Sequence, residues 1–370
     1  MKKDYVGIVD VNELERTEIF EIFDTMKILK EASYKNAVPK LLNGKTLMMI
    51  FEEPSTRTRT SFEAAMTRLG GHAQYLKPGE IHLGDRESIY DTIKVLSRFG
   101  DRIFARVLKH ETIQQIAKYS DVPVFNGLSD YNHPTQMFGD FFTIFENLTD
   151  TQKKNLNKVK LVFIGDRTNV CSSLMMMSSI VGINFVHVGP KKYQSPKEWV
   201  DKAQSNIDKY KSGSVKVTDD LNEVSDADFV YTDLWWWVDQ VDQAGDRYKA
   251  FMKGGYQANA DLASKAKKDT KFMHCLPCSR NVELADEVID GKQSIVFDQS
   301  ENKLYLTMGL LTYYIYPNNT KYDSKLAAKF EAKVDKVTKK ATTKPNSQHW
   351  TYNNNYKANM DYLKGLKLKK

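Results

Sequence analysis

Leu47-Met48-Met49-Ile50-Phe51-Glu52-Glu53-Pro54-Ser55-Thr56-Arg57-Thr58-Arg59 joins an apolar run to a dense group of hydroxyls and guanidiniums. Leu47 to Phe51 reads as a buried strand, and Phe62, Ala65, Met66 and Leu69 then recur at helical spacing. Ser55 to Arg59 therefore sit where a strand feeds a helix. Backbone N–H groups and the helix dipole at such a start favour an anion. Arginine adds a planar fork that matches phosphate oxygens in a bidentate way. Taken alone, the stretch also fits a capped helix start with two solvated arginines.

Outward from there the same alternation continues. A helical pattern over Val11 to Ala32 precedes the strand. Strands at Ala73 to Leu76, Ile103 to Arg106 and Val122 to Phe125 follow it, with helices at Ser88 to Phe99 and Thr112 to Tyr119 between them and a polar loop at Lys77 to Asp85. A long helix at Thr135 to Leu148 leads to a charged break, and the alternation restarts at Val159 to Ile164. Val170 to Val181 and Glu198 to Lys211 are its helices; Phe185 to Val188, Phe229 to Tyr231, Phe272 to His274 and Ile295 to Phe297 are its further strands. Strand and helix in alternation predict parallel sheets covered by helices, with ligands at the carboxyl ends of the strands.

The fold class expected is α/β, with two doubly wound parallel-sheet domains and a C-terminal helical extension. The expected divisions are 1–145, 146–305, helices over 306–340 that include the apolar Leu306 to Tyr316 and the amphipathic Lys325 to Val337, and a basic tail over 341–370. A chain of 370 residues is long enough for two cores.

Charge distribution narrows the function. Ser324 to Lys370 holds twelve lysines against Glu331, Asp335 and Asp361, or +9, so with a total of +7 the preceding residues sum to −2. Basicity is a tail property, which argues against nucleic-acid binding as the main task. Cys171, Cys275 and Cys278 are too few for a disulfide scaffold and fit a reducing, cytoplasmic setting. A run of about 18 apolar residues is missing, so no membrane span is expected.

Three further stretches could carry chemistry. In Asp130-Tyr131-Asn132-His133-Pro134-Thr135-Gln136, the histidine and glutamine can donate to a carbonyl or phosphate oxygen, although an ordinary Asn-Pro turn fits equally well. In Thr232-Asp233-Leu234-Trp235-Trp236-Trp237, a carboxylate can hold an amine beside aromatic walls; the indoles could equally cap a core. His274-Cys275-Leu276-Pro277-Cys278 follows a strand; one Cys-x-x-Cys is half a zinc site, and a strand-end loop lining a polar site is the better reading.

Together, and in this order, Ser55-Thr56-Arg57-Thr58-Arg59, Arg106, His133-Pro134-Thr135-Gln136, Asp233 and His274-Cys275-Leu276-Pro277 resemble the aspartate/ornithine carbamoyltransferase family over roughly residues 1 to 316. The resemblance implies a carbamoyl-phosphate domain, an amine domain and a homotrimer with shared active sites, and it implies no metal and no organic cofactor. It would place Ser55, Thr56, Arg57, Thr58, His82, Arg106, Leu276 and Lys303 around carbamoyl phosphate, with His133, Gln136 and Arg57 polarising its carbonyl. Asn169, Asp233, Trp237 and Cys275 would receive the amine. Arg57, His133, Gln136, Asp233 and Cys275 would form the catalytic set.

Within the family, ornithine-specific members carry a Ser-Met-Gly loop after Asp-x-Trp, where this chain runs into Trp236-Trp237-Val238-Asp239. The start Met1 to Tyr5, Leu76-Lys77-Pro78-Gly79, Gly127 to His133 and the amphipathic pattern after Tyr322 look like the putrescine-specific branch. The implied reaction moves a carbamoyl group between carbamoyl phosphate and a diamine, forming N-carbamoylputrescine and phosphate or running in reverse in agmatine catabolism. Ornithine is the alternative acceptor, and a relative that binds without turnover is a remoter one. Lys303 stands where the family has arginine, which keeps the charge and loses the fork.

Overall fold

A computed structural model describes residues 6–81 and 83–314. His82, the predicted helix over Lys325 to Val337 and the basic tail lie outside the described residues. The chain divides into two compact units, one built from residues up to Phe142 and from Asn302 onward, the other from Thr143–Glu301.

In the first unit the elements run β1 (Gly7–Ile8), α1 (Arg16–Tyr34), β2 (Thr46–Phe51), α2 (Thr56–Leu69), β3 (His72–Leu76), α3 (Ile89–Phe99), β4 (Arg102–Arg106), α4 (His110–Tyr119), β5 (Val124–Leu128) and α5 (Pro134–Asn147). The sheet is wholly parallel, in the order β1-β5-β4-β2-β3. Its central strands are covered on both faces, which is why Leu47 to Phe51 is a continuous apolar run with no polar alternation. The edge strand β3 is only partly buried.

Aromatic rings fill one side of this sheet. Phe104 packs on Phe62 at 4.1 Å and on Phe51 at 5.4 Å between centroids. Room for the Phe104 ring comes from Gly127, where a Cβ would fall 1.9 Å from the ring's Cζ atom. Phe51 in turn meets Tyr75 at 5.1 Å, and Arg59 stacks its guanidinium on Tyr75 at 3.8 Å.

The second unit adds α6 (Asp150–Lys154), β6 (Lys160–Ile164), α7 (Asn169–Val181), β7 (Asn184–Val188), α8 (Lys197–Tyr210), β8 (Ser214–Thr218), β9 (Phe229–Thr232), α9 (Ala244–Lys253), α10 (Ala260–Lys265), β10 (Lys271–His274), α11 (Asp286–Ile289) and α12 (Val296–Tyr313). Its parallel sheet has the order β10-β9-β6-β7-β8. Thr168 caps α7 by accepting from the Cys171 N–H at 3.2 Å, and Gly182 ends the helix in the left-handed region. Every residue of α7 is buried, so it forms the floor of this unit's core.

The strand predicted at Ile295 to Phe297 is corrected. Of these three residues only Ile295 bonds to the sheet edge, through its N–H to the Phe272 carbonyl at 3.0 Å; Val296 already begins α12. The helix predicted from Leu306 therefore starts at Val296. From Asn302 on, α12 belongs to the first unit, where Asn302 Oδ1 accepts from the buried Lys30 ammonium at 2.7 Å and the Tyr313 hydroxyl donates to Glu21 at 2.8 Å.

Both strand orders reverse once, between β2 and β4 in the first sheet and between β6 and β9 in the second. Each reversal opens a crevice at the carboxyl ends of the strands. The residues singled out in the sequence gather at these two places.

Candidate active site

In the first unit, β2 ends at Phe51 and Glu52 turns the chain. Its N–H donates to the Arg106 carbonyl at 2.9 Å, and its carboxylate accepts from the Leu108 N–H at 2.5 Å. These bonds tie the end of β2 to the end of β4 and so fix the backbone at Arg106, which pairs in register with Phe51. Ser55 is the N-cap of α2 but its hydroxyl makes no capping bond; Thr56, Arg57 and Thr58 form the first turn. The two arginines of the motif differ. Arg59 is held on Tyr75 and by Glu63 at 3.0 Å, whereas Arg57, within the first turn, is half-buried.

The loop after β5 is equally fixed. Asn126 donates to the Val9 carbonyl at 2.8 Å, Asn132 donates to Asp10 at 2.9 Å, and Thr135 donates to the Asn126 carbonyl at 3.1 Å. His133 and Gln136 are buried at the start of α5. The Lys303 ammonium donates to the Gln136 carbonyl oxygen at 2.6 Å, and the Gln136 amide donates to Asp140 at 2.8 Å. Gln136 is thereby oriented from both ends. Burial first, and then the Lys303 and Arg106 cations, hold the His133 imidazole well below its ordinary titration range, so it is neutral at pH 7. A neutral imidazole beside two cations suits polarisation of an anionic substrate's carbonyl, because it adds a donor without a further charge. Arg57, Arg106 and Lys303 supply the charge.

The second unit presents the opposite sign. Asp233 follows β9 and is buried. Its carboxylate accepts from the Thr168 hydroxyl at 3.0 Å, the Leu234 N–H at 2.9 Å and the Cys275 thiol at 3.3 Å. Burial raises its pKa; these three hydrogen bonds pull the other way without cancelling the rise. Asn169, buried, opens α7 beside Thr168, and Leu276, in the left-handed region at φ 57°, follows Cys275 after β10. Trp235 stacks on Phe251 at 5.1 Å and is wholly buried, so it is core, while Trp236 and Trp237 stay half-buried.

The sequence reading overlooked several positioning groups. Asp166 follows β6 and forms a short, buried ion pair with Arg247, whose guanidinium also donates to the Trp235 carbonyl at 3.1 Å and to Gln243 at 3.3 Å. Thr168 and Glu283 were likewise not singled out. Pairs separated by 65 and 81 residues in the chain carry no local spacing signal.

Comparison with known proteins settles the family. The profile described as "Aspartate/ornithine carbamoyltransferase, carbamoyl-P binding domain" matches residues 7–146, and its companion "Asp/Orn binding domain" matches residues 157–314. The chain belongs to the aspartate/ornithine carbamoyltransferase family. It is 59% identical to a putrescine carbamoyltransferase of Mycoplasma capricolum over 94% of this chain and 96% of that one. An ornithine carbamoyltransferase of Methanococcus maripaludis is 44% identical over 81% of this chain and 96% of its own length. Among solved structures, ornithine carbamoyltransferase from Pyrococcus furiosus superposes with a TM-score of 0.79 at 40% identity, covering 85% of this chain and 98% of that one. Residues 7–146 carry the arginine-rich half-site and residues 157–314 the Asp233 half-site, in keeping with the two profile descriptions.

Proposed function

We propose that the protein transfers the carbamoyl group between carbamoyl phosphate and putrescine. Ser55, Thr56, Arg57, Thr58, Arg106, Leu276 and Lys303 hold the phosphate and carbamoyl oxygens. Arg57, His133 and Gln136 stabilise the charge that develops on the carbonyl oxygen. Asp233 receives the amine, with Asn169, Trp237 and Cys275 around it. The neutral amine nitrogen forms the new C–N bond, the C–O bond to phosphate breaks, and the proton lost by the nitrogen leaves with the phosphate. The enzyme is cytoplasmic, works as a homotrimer to which each subunit lends His82, and serves agmatine breakdown in the direction that yields carbamoyl phosphate.

The observation that carries putrescine over ornithine is the sequence after Asp233, Trp235-Trp236-Trp237, read with the 59% identity to a protein named for putrescine. An amino-acid substrate needs a partner for its α-carboxylate, and leaving that group unpaired in a dry site costs about 1–3 kcal/mol or more. The buried guanidinium of this unit, Arg247, is already committed to Asp166, Trp235 and Gln243. Ureido-product colour with carbamoyl phosphate and either acceptor tests the assignment. Putrescine should exceed ornithine in kcat/KM by on the order of 10²-fold, as a site that discriminates through an unpaired charged group allows. Equal or reversed values would transfer the assignment to ornithine.

A further inference from the structure

Below the Cys275-Leu276 loop lies a buried pair whose bonding fixes a tautomer. His274 ends β10 with its ring fully enclosed, and Glu283 is equally enclosed. The Leu276 N–H donates to His274 Nδ1 at 2.9 Å. A nitrogen that accepts carries no proton, so the ring proton of the neutral imidazole sits on Nε2. That atom lies 3.2 Å from Glu283 Oε1, to which it donates. The same oxygen accepts from the Ser279 N–H at 2.6 Å. One carboxylate thus grips the loop twice, directly at Ser279 and through the histidine at Leu276.

Leu276 is the position that needs the grip. Its φ of 57° lies in the left-handed region, which residues with a side chain rarely adopt. The Leu276 N–H bond to Nδ1 holds that conformation only while Nδ1 remains an acceptor. Cys275, the residue between, places its thiol on Asp233.

His274, Cys278 and Glu283 also bring potential ligand atoms within 4.8 Å of one another, a set that by type could hold zinc. The hydrogen bonding opposes it. A metal on Nε2 would leave a neutral ring protonated at Nδ1, facing the Leu276 N–H donor to donor. Metal-bound imidazoles instead donate from their second nitrogen.

We infer that Glu283 is a positioning residue for carbamoyl transfer: by holding His274 in its Nε2-protonated tautomer, it fixes Leu276 and Cys275 against the amine-receiving Asp233. The inference rests on the assignment of Cys275 to the acceptor side of the site and of Leu276 to its carbamoyl-phosphate side.

The test pairs nitrogen NMR of the full-length protein labelled at its seven histidines with steady-state kinetics. In the parent, His274 should show an unprotonated Nδ1 and a protonated Nε2 at neutral pH. Glu283→Leu should mix the two tautomers and lower kcat/KM for putrescine by about 30-fold, within the range for loss of a residue that orients a functional imidazole. Glu283→Gln keeps an acceptor oxygen and should keep both the tautomer and most of the activity.

Should Glu283→Leu fail to fold, His274→Ala and His274→Asn ask the same question. The asparagine carbonyl can accept from the Leu276 N–H and should recover most of what alanine loses, even though the link to Glu283 is gone. An unchanged tautomer in Glu283→Leu, or asparagine as poor as alanine, overturns the positioning role. A scrambled tautomer with undiminished turnover instead overturns the placing of Cys275 and Leu276 in the active site.

Discussion

The two sheets share a topology and differ in sign. Each is five parallel strands with one reversal of order, and each collects functional side chains at the strand ends beside that reversal. At the first, Arg106 and Lys303 face a histidine that burial keeps neutral. At the second, a buried aspartate takes three hydrogen bonds, and the nearby buried arginine is bound to another aspartate. The fold supplies a crevice of a given kind and the side chains decide what enters it. An anionic donor and a cationic acceptor each meet the complementary sign.

That contrast can be broken from either side. The largest loss is expected from Arg57→Ala, about 10³-fold in kcat/KM, because the proposed assignment has this arginine both hold the donor and stabilise developing charge. Turnover within tenfold of the parent would remove Arg57 from the phosphate side. Asp233→Asn keeps the shape and removes the charge, and should cost about 10²-fold in kcat/KM for putrescine, with the dissociation constant for carbamoyl phosphate unchanged by calorimetry. Weakening of carbamoyl phosphate instead would mean that the two half-sites do not divide the substrates.

The smallest effect is on stability against pH, and it has opposite signs in the two units. The folded-state pKa of His133 is depressed, so the unfolded chain binds the extra proton; this contribution is present above about pH 6.5 and is lost as pH falls below it, at up to about 1.4 kcal/mol per pH unit. Asp233 is raised by burial, so the folded chain keeps its proton longer, and stability falls as pH rises from about 3.9 through the folded value. Thermal melts between about pH 6.5 and 5 should decline less steeply in His133→Gln than in the parent, by roughly 2–4 °C per kcal/mol recovered. Asp233→Asn should steepen the decline wherever Asp233 titrates in that window. Parallel curves for all three proteins would contradict the protonation states assigned here.

The strands that carry these sites were legible because strands covered on both faces read as unbroken apolar runs. Where that condition fails, the sequence misleads. β1 is two residues long, and β8, an edge strand with exposed Ser214 and Lys216, lacks an apolar signature, so neither was expected. Ile295-Val296-Phe297 has strand composition, yet a single edge bond at Ile295 is all that it contributes before α12 begins. Motif residues were legible for a different reason: Ser55 to Arg59 and His133 to Gln136 are each consecutive, so their chemistry is visible as a word. Gln136 held by Lys303, Asp233 by Thr168, and Asp166 by Arg247 are bonds between elements far apart in the chain, which no local pattern encodes. The Cys275-x-x-Cys278 spacing suggested a pair, and the two thiols prove to serve different carboxylates: Cys275 donates to Asp233, while Cys278 lies beside Glu283, which with burial pushes that thiol's pKa up to about 12.

Gly127 has a bearing on how such a protein can change over generations. The absent Cβ makes room for Phe104; Phe104 supports Phe51, Phe51 meets Tyr75, and Tyr75 carries Arg59, two residues beyond Arg57. A lineage that acquires alanine at 127 must first shrink the ring at 104, and one that shrinks the ring first opens a void that only a larger residue at 127 can refill. Neither single step is neutral, since losing most of a buried aromatic costs about 3–5 kcal/mol. The two positions are expected to be inherited as a couple, with the glycine acting as the hidden partner of the arginine motif.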